Sequence, residues 1–305
     1  MRKAIVIMGI YVADLAFRAD RMPIMGETIL GDFASGPGGK GSNQAVATAR
    51  AGGDVSLITC LGRDAFGAIA RQTWTDAAID QRFVAESQTP TGGAFIFVNP
   101  TTGENAIIVA PGAANDLTTA DIDRAEPRIR EAGVFMTQLE TPVPLALHGL
   151  RLARRHGVTT ILNPAPAVPL PDDIYPLVDF LTPNETEAST LTGISVESID
   201  SASAAADILL AKGIKAALIT LGAKGAFYKD SRMAQLIPAY DAGPAIDTTG
   251  AGDAFNGGFA CALAEGRPAL DAVRFGCATG SLSVTRRGTA PAMPVRAEID
   301  RLMAG

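Results

Sequence analysis

Short β-branched apolar runs and longer segments with helical spacing follow one another along most of the 305-residue chain. Ala4 to Gly9 predicts a buried first strand. Asn43 to Ala51 predicts a helix closed by Gly52-Gly53, Val55 to Leu61 a buried strand, and Ala65 to Asp76 another helix. From Asp121 the rhythm is regular: helix 122 to 132, strand 134 to 138, helix 144 to 156, strand 159 to 163. A strand at 180 to 183, a helix from Glu185, a helix over 203 to 212 and a strand over 216 to 221 continue it. Helices over 254 to 265 and 270 to 285 close the chain. Repeated βα units predict an open parallel sheet covered on both faces. Two segments depart from the rhythm. Asp20 to Phe33 is broken by Pro23, Gly26 and Gly31, and Gly92 to Asn99 with Asn105 to Ala110 predicts a β-hairpin. Together they predict a small β lid, from about 14–36 and 92–110, on a single α/β domain spanning 1–305.

Composition narrows the function classes. Apolar residues form 47% and charged residues 19% of the chain, enough for a large core and too little charge for a disordered one. The formal net charge of −6 argues against nucleic acid or an anionic membrane as partner. Met1-Arg2-Lys3 before an apolar stretch imitates a leader, but Asp14 interrupts it and no small-residue cleavage pattern follows. No stretch reaches the roughly 18 apolar residues of a spanning helix. Cys60, Cys261 and Cys277 form no C-x-x-C pair, which suits a reduced, cytoplasmic protein. His148 and His156 match no metal-ligand spacing and read as surface residues, so proton transfer falls to carboxylates.

The chemistry concentrates in two glycine-rich runs. Asp247-Thr248-Thr249-Gly250-Ala251-Gly252-Asp253 leads into an apolar helix, where successive N–H groups can converge on a phosphate or an oxyanion. Asp253 at its lip could take a proton from an attacking hydroxyl, or could simply cap the helix. Gly38-Gly39-Lys40-Gly41-Ser42-Asn43 also opens a helix. It fails the P-loop pattern at Ala34 and Gly41, and Gly9-Ile10-Tyr11-Val12 fails the dinucleotide fingerprint. What remains is N–H groups, an ammonium and an amide that suit a polyhydroxyl ligand. Asn184-Glu185-Thr186-Glu187 reads either as Mg²⁺-directed oxygens or as a capping box. Thr220-Leu221-Gly222-Ala223-Lys224-Gly225 reads as a phosphate-contacting turn or a plain one. Glu140 falls at the carboxyl end of a strand, where open parallel sheets bind ligands.

Taken in order, these residues resemble the PfkB family of carbohydrate kinases over essentially the whole chain. The run Gly38 to Ala45 is similar to the family's sugar-side signature, and Asp247 to Asp253 to its second. Gly26-Glu27-Thr28, Gln138-Leu139-Glu140, Asn163-Pro164-Ala165-Pro166, Thr182 to Glu187 and Thr220 to Gly222 follow in the family's order. The resemblance implies a ribokinase-like α/β fold, a doubly wound, mostly parallel sheet flanked by helices with a β lid. It implies ATP-dependent phosphorylation of a primary hydroxyl of ribose or a related pentose. Asp253 would be the base, and the backbone of Gly250, Ala251 and Gly252 would neutralise charge on the transferred group. Asp14, Gly39, Lys40, Asn43 and Glu140 would hold the sugar together with Asp253. Asn184, Thr220, Gly222, Gly225 and Gly252 would line the ATP site, with Glu187 organising water around Mg²⁺. A monovalent cation, K⁺, would sit among Asp247, Thr249, Ser283, Arg286 and Gly288. The lid would close over the sugar and clasp a second subunit in a homodimer.

The departures concern the substrate. Where ribose kinases of the family read Gly-Ser-Ile-Asn-Ala-Asp, this chain has Gly9-Ile10-Tyr11-Val12-Ala13-Asp14, and Val12 cannot form the hydrogen bond of an Asn. That opens the readings of a nucleoside kinase or a kinase for another sugar. Cys277 stands where a polar residue near adenine is common, and Ala292 where the cation site often has Ser. A non-catalytic sugar- or nucleotide-binding protein is the rival from another class. Asp253 and the intact glycine run speak against it, because binding alone needs no base.

Overall fold

A computed structural model describes residues 3–305; Met1 and Arg2, the start of the leader-like segment, lie outside the described residues. The strands are β1 (Ala4–Met8), β2 (Val12–Arg18), β3 (Asp32–Gly38), β4 (Val55–Gly62), β5 (Val84–Ser87), β6 (Thr91–Val98), β7 (Asn105–Gly112), β8 (Ala132–Thr137), β9 (Thr159–Leu162), β10 (Phe180–Leu181), β11 (Ala216–Thr220), β12 (Ala226–Asp230) and β13 (Ala234–Ile237). The helices are α1 (Lys40–Arg50), α2 (Ala65–Asp76), α3 (Thr119–Arg124), α4 (Glu126–Glu131), α5 (Val143–Arg155), α6 (Glu185–Thr192), α7 (Ile199–Ala211), α8 (Ala251–Ala264), α9 (Ala269–Ser283) and α10 (Arg296–Met303).

Nine strands form one sheet in the order β13-β12-β11-β10-β9-β8-β1-β4-β5. It is parallel from β11 to β5, with β12 and β13 added antiparallel at one edge. Period-two alternation sends successive residues to opposite faces, and β1 shows why a continuous apolar run is needed. Ile5 and Ile7 join a core with Leu57, Phe259 and Phe275 under α1, α8 and α9. Val6 and Met8 join the opposite core with Phe135, Leu150 and Leu209 under α5 and α7. The ribokinase-like doubly wound arrangement expected from the sequence is therefore the observed one.

Several boundaries differ from expectation. The helix expected over 122 to 132 is two short ones, α3 and α4, because Pro127 fits only a first helical turn and the chain restarts there. Helix α7 begins at Ile199 rather than Ser203, where Ser198 and Ser201 form a capping box. Strands β5, β12 and β13 have no counterpart in the expectation, and β2 and β3 fall at the two ends of the β segment expected over about 14–36, where no single strand was delimited. Their pairing is tertiary, and β3, with the sequence DFASGPG, carries little apolar signal of its own. Strands β3, β2, β6 and β7 make a second, four-stranded sheet in that order. It takes in the expected hairpin and the two ends of the 14–36 segment, and β2 runs parallel to β6 in it.

Candidate active site

Both glycine-rich runs start helices, and those helices lie side by side. Gly39 caps α1 and Gly250 caps α8; Gly250 has φ 77°, the left-handed conformation that glycine adopts without a Cβ penalty. A Cβ on Gly257 of α8 would lie 2.5 Å from the Ala47 Cβ of α1, so the helices meet at backbone distance. Their starts share a cavity of about 160 Å³ lined by Lys40, Gly250 to Asp253, Asn163, Asn184, Glu187 and Thr220. Asn163, Asn184 and Thr220 stand at or just past the carboxyl ends of β9, β10 and β11, where open parallel sheets place ligands.

Asp253 is the third residue of α8 and is 7% exposed. The capping alternative is excluded, since Gly250 holds that position. Asn43 Nδ2 donates to Asp253 Oδ2 at 3.1 Å and Gln44 Nε2 to Oδ1 at 3.0 Å. Burial pushes the Asp253 carboxyl up, and Lys40, Gln44 and Asn43 pull it back only in part. Burial also works against the charge of Lys40, but Asp253, Glu140 and Glu187 outweigh it and raise its pKa. Glu140 Oε2 accepts the Lys40 N–H at 2.7 Å, and burial lifts this carboxyl to about 7. Burial, with the charge of Asp253, lifts Asp14 to about 6. Three carboxylates facing one ammonium need hydroxyl donors, and the buried Asn43 Oδ1 has no partner among the described residues. A polyhydroxyl ligand supplies O–H donors to all of them. Asp14, Gly39, Asn43 and Glu140 do not line the cavity itself, but Asn43 and Glu140 bond directly to residues that do.

The backbone of the hole is partly engaged. Ala251 N–H donates to Thr248 O at 3.2 Å, which leaves the Gly252 and Asp253 N–H groups without intrahelical acceptors at the positive end of α8. Asn184 and Glu187 form a capping box on α6, so the capping reading holds, and both also line the cavity. Gly222 has φ 53° on an open turn, whereas a Cβ on Gly225 would lie 2.1 Å from Ile237 O, so Gly225 is set by β13 packing. The Cys277 thiol is buried and pushed up to about 12.

The 247 loop is tied to the 288 turn. Asp247 Oδ1 accepts Thr249 N–H and Oδ2 accepts Gly288 N–H, each at 2.9 Å. Burial opposes its ionisation, but these N–H groups prevail and lower its pKa. The Arg286 guanidinium pairs with Glu298 at 2.6 Å, and Ser283 Oγ donates to Gly280 O at 2.8 Å. His148 and His156 pair with Asp123 and Glu126 far from the cavity. The site residues to which the sequence assigned no role are Gln44, Gln138, Asn163 and Asn256. Gln44, Gln138 and Asn163 lie inside motifs and Asn256 just after one, but nothing local gives them a role, because a buried amide has no periodic signature.

The family model described as pfkB family carbohydrate kinase matches residues 2–296. The chain belongs to the pfkB family of carbohydrate kinases. It is 40% identical over 300 residues to a protein named ribokinase from Haemophilus influenzae, covering 98% of this chain and 97% of that one. A deoxyribokinase from Salmonella typhi is 35% identical, with 95% of each chain covered. The structure of Arabidopsis thaliana ribokinase complexed with ribose and ATP superposes with a TM-score of 0.93 at 30% identity, covering 100% of both chains. The expected fold and enzyme class are both borne out. Membership of the pfkB family makes the chain a sugar kinase, and the acidic, amide-rich pocket is chemically suited to that class.

Proposed function

We propose that the chain transfers the γ-phosphoryl group of ATP to the primary hydroxyl of ribose or a related pentose. The observation that carries this is Asp253, buried in the third position of α8 beside the unpaired N–H of its first turn, in one cavity with Lys40 and Glu187. The hydroxyl oxygen attacks the γ-phosphorus, the bond to the β–γ bridging oxygen breaks, ADP leaves, and the hydroxyl proton passes to Asp253. Asp14, Gly39, Lys40, Asn43 and Glu140 hold the sugar, and Asn184, Thr220, Gly222 and Gly225 flank the nucleotide. The backbone of Gly250 to Gly252 faces the transferred group, with Gly252 N–H the donor that has no intrahelical partner.

Glu187 fits a Mg²⁺ site held through water and phosphate. Among the described residues no cluster of three His, Cys, Asp or Glu could cage a metal, and Mg²⁺ with few protein ligands is the usual form in phosphotransferases. When bound it neutralises phosphate charge. The Asp247 carboxylate, bonded to the N–H groups of Thr249 and Gly288, would hold a K⁺ ion together with Ser283 and Arg286. The Arg286 side chain is committed to Glu298, so its contribution would come from the backbone. Ala292 adds no side-chain oxygen.

The second sheet acts as the lid and as the clasp of a homodimer. Phe17, Phe33 and Ile108 on one face of it are 42%, 58% and 67% exposed, apolar surface that water disfavours. No described helix is long and apolar enough to cross a membrane. Buried Cys60, Cys261 and Cys277, with no disulfide among them, support a cytoplasmic setting. Asp253→Asn should lower turnover by about a hundredfold or more while sugar binding, read by calorimetry, persists. Near-normal turnover would sink the reading.

Val12 favours a second reading of the acceptor. It is 2% exposed among Ile10, Ala94 and Ala114 and lies on the same face of β2 as Asp14. A deoxypentose or a nucleoside would present an apolar edge to that wall.

A further inference from the structure

Two side-chain amides hold the Asp253 carboxylate, and only one of them is locked. Asn43 gives its Nδ2 to Oδ2, but its own Oδ1 is buried without a partner among the described residues, so its bond to the carboxylate alone orients it. Gln44 differs. The chain of polarity starts at the carbonyl of Thr182, which can only accept. Asn163 Nδ2 donates to it at 2.9 Å, so Asn163 must turn its Oδ1 toward Gln44. Gln44 Nε2 therefore donates to Asn163 Oδ1 at 3.1 Å and to Asp253 Oδ1 at 3.0 Å, using both hydrogens. Its Oε1 in turn accepts from Gln138 Nε2 at 2.5 Å. A flipped Gln44 would set oxygen against oxygen at Asn163 and Asp253 and nitrogen against nitrogen at Gln138. Gln138 is confined by packing alone: its Oε1 has no hydrogen-bond partner among the described residues, and a Cβ on Gly9 would lie 2.1 Å from it.

We propose that Gln44, locked by Asn163 and Gln138, is a positioning residue that fixes the rotation of the Asp253 carboxylate and offers it only donors. A locked donor favours the ionised carboxylate and cannot turn to accept from its acid form. The carboxylate therefore stays an acceptor for the sugar proton and passes that proton on rather than keeping it. This rests on Asp253 acting as the base. The charged groups facing Asp253 are Lys40 on α1, Asp14 on β2, Glu140 after β8 and Glu187 on α6. Only Lys40 among them favours its ionised form, and the amides act beside it and the positive end of α8.

The test is a cycle of Gln44→Met, Gln138→Met and the double variant, which keep side-chain length while removing the amides. The readouts are kcat, both KM values, the pH dependence of kcat/KM with ATP and the best pentose, and thermal unfolding. Gln44→Met should lower kcat about tenfold or more, leave the KM for ATP within about twofold, and move the acid limb to higher pH. Gln138→Met should act in the same direction with a smaller effect. In the Gln44→Met background it should add nothing, because it acts through Gln44. An acid limb that stays in place in both single variants overturns the proposal, as does an undiminished Gln138→Met effect in the double variant. If Gln44→Met does not fold, the acid limb of Gln138→Met alone decides. Asp253→Asn separates the two levels. An inactive Asp253→Asn with unmoved glutamine variants removes the positioning role and leaves the kinase reading intact, whereas an active Asp253→Asn removes both.

Discussion

In the proposed pentose site, Val12 is the side chain expected to bear most directly on which sugar is used. It faces Gly38 across β2 and β3 and Gly92 across β2 and β6, two residues from Asp14 on the same face. A hydroxyl turned toward it would lose its water without gaining a partner, at a cost of roughly 1–3 kcal/mol. Val12→Asn should therefore raise kcat/KM for ribose relative to 2-deoxyribose by about fivefold to a hundredfold. A panel of ribose, 2-deoxyribose, fructose and adenosine on both proteins measures this, and an unchanged ratio would remove Val12 from specificity. The substitution itself was legible in the sequence because it breaks a motif. Gln44 was not, since its role comes from Thr182, Asn163 and Gln138, which lie 138, 119 and 94 positions away in sequence and meet only in the fold.

At the scale of elements, α1 and α8 set the site by packing backbone to backbone. Gly257 sits in the interior of α8, where exchange for Ala ordinarily stabilises a helix by about 1 kcal/mol. Here the sign should reverse. The added Cβ would lie 2.5 Å from Ala47 Cβ and 2.8 Å from Thr48 N, both inside α1. Gly257→Ala should lower stability by about 1–3 kcal/mol in denaturant unfolding. It should also reduce kcat, because α1 carries Asn43 and Gln44 and α8 carries Asp253. A stabilised variant would show that the helices separate freely. The long amphipathic helices and the buried parallel strands could be read from periodicity alone. The edge strands β12 and β13 could not, since they exist by pairing with β11 and with each other.

For the whole molecule, the second sheet is the element the main core does not explain. Phe17, Phe33 and Ile108 on it stay exposed while both faces of the nine-stranded sheet are covered. Replacing Phe33 with Ser and Ile108 with Lys should convert a dimer to a monomer in sedimentation equilibrium, with the fold intact by circular dichroism, because both side chains already face water. A dimer that persists would place the interface elsewhere. The sequence by itself determined the α/β class, the order of the elements, the two helix starts with Lys40 and Asp253, and the missing amide at Val12. Each is a local property: hydrophobic period, glycine placement or residue identity within a motif. Tertiary structure alone decided that β2 runs parallel to β6 and that Asp253 is the third residue of a helix rather than its cap. It alone decided that Glu140 takes the Lys40 amide and that the Gln44, Asn163 and Gln138 side chains join one hydrogen-bonded chain to the Asp253 carboxylate. Those are contacts between segments far apart in the chain, and their energy depends on burial and on the direction of each hydrogen bond, neither of which exists until the sheet closes around them.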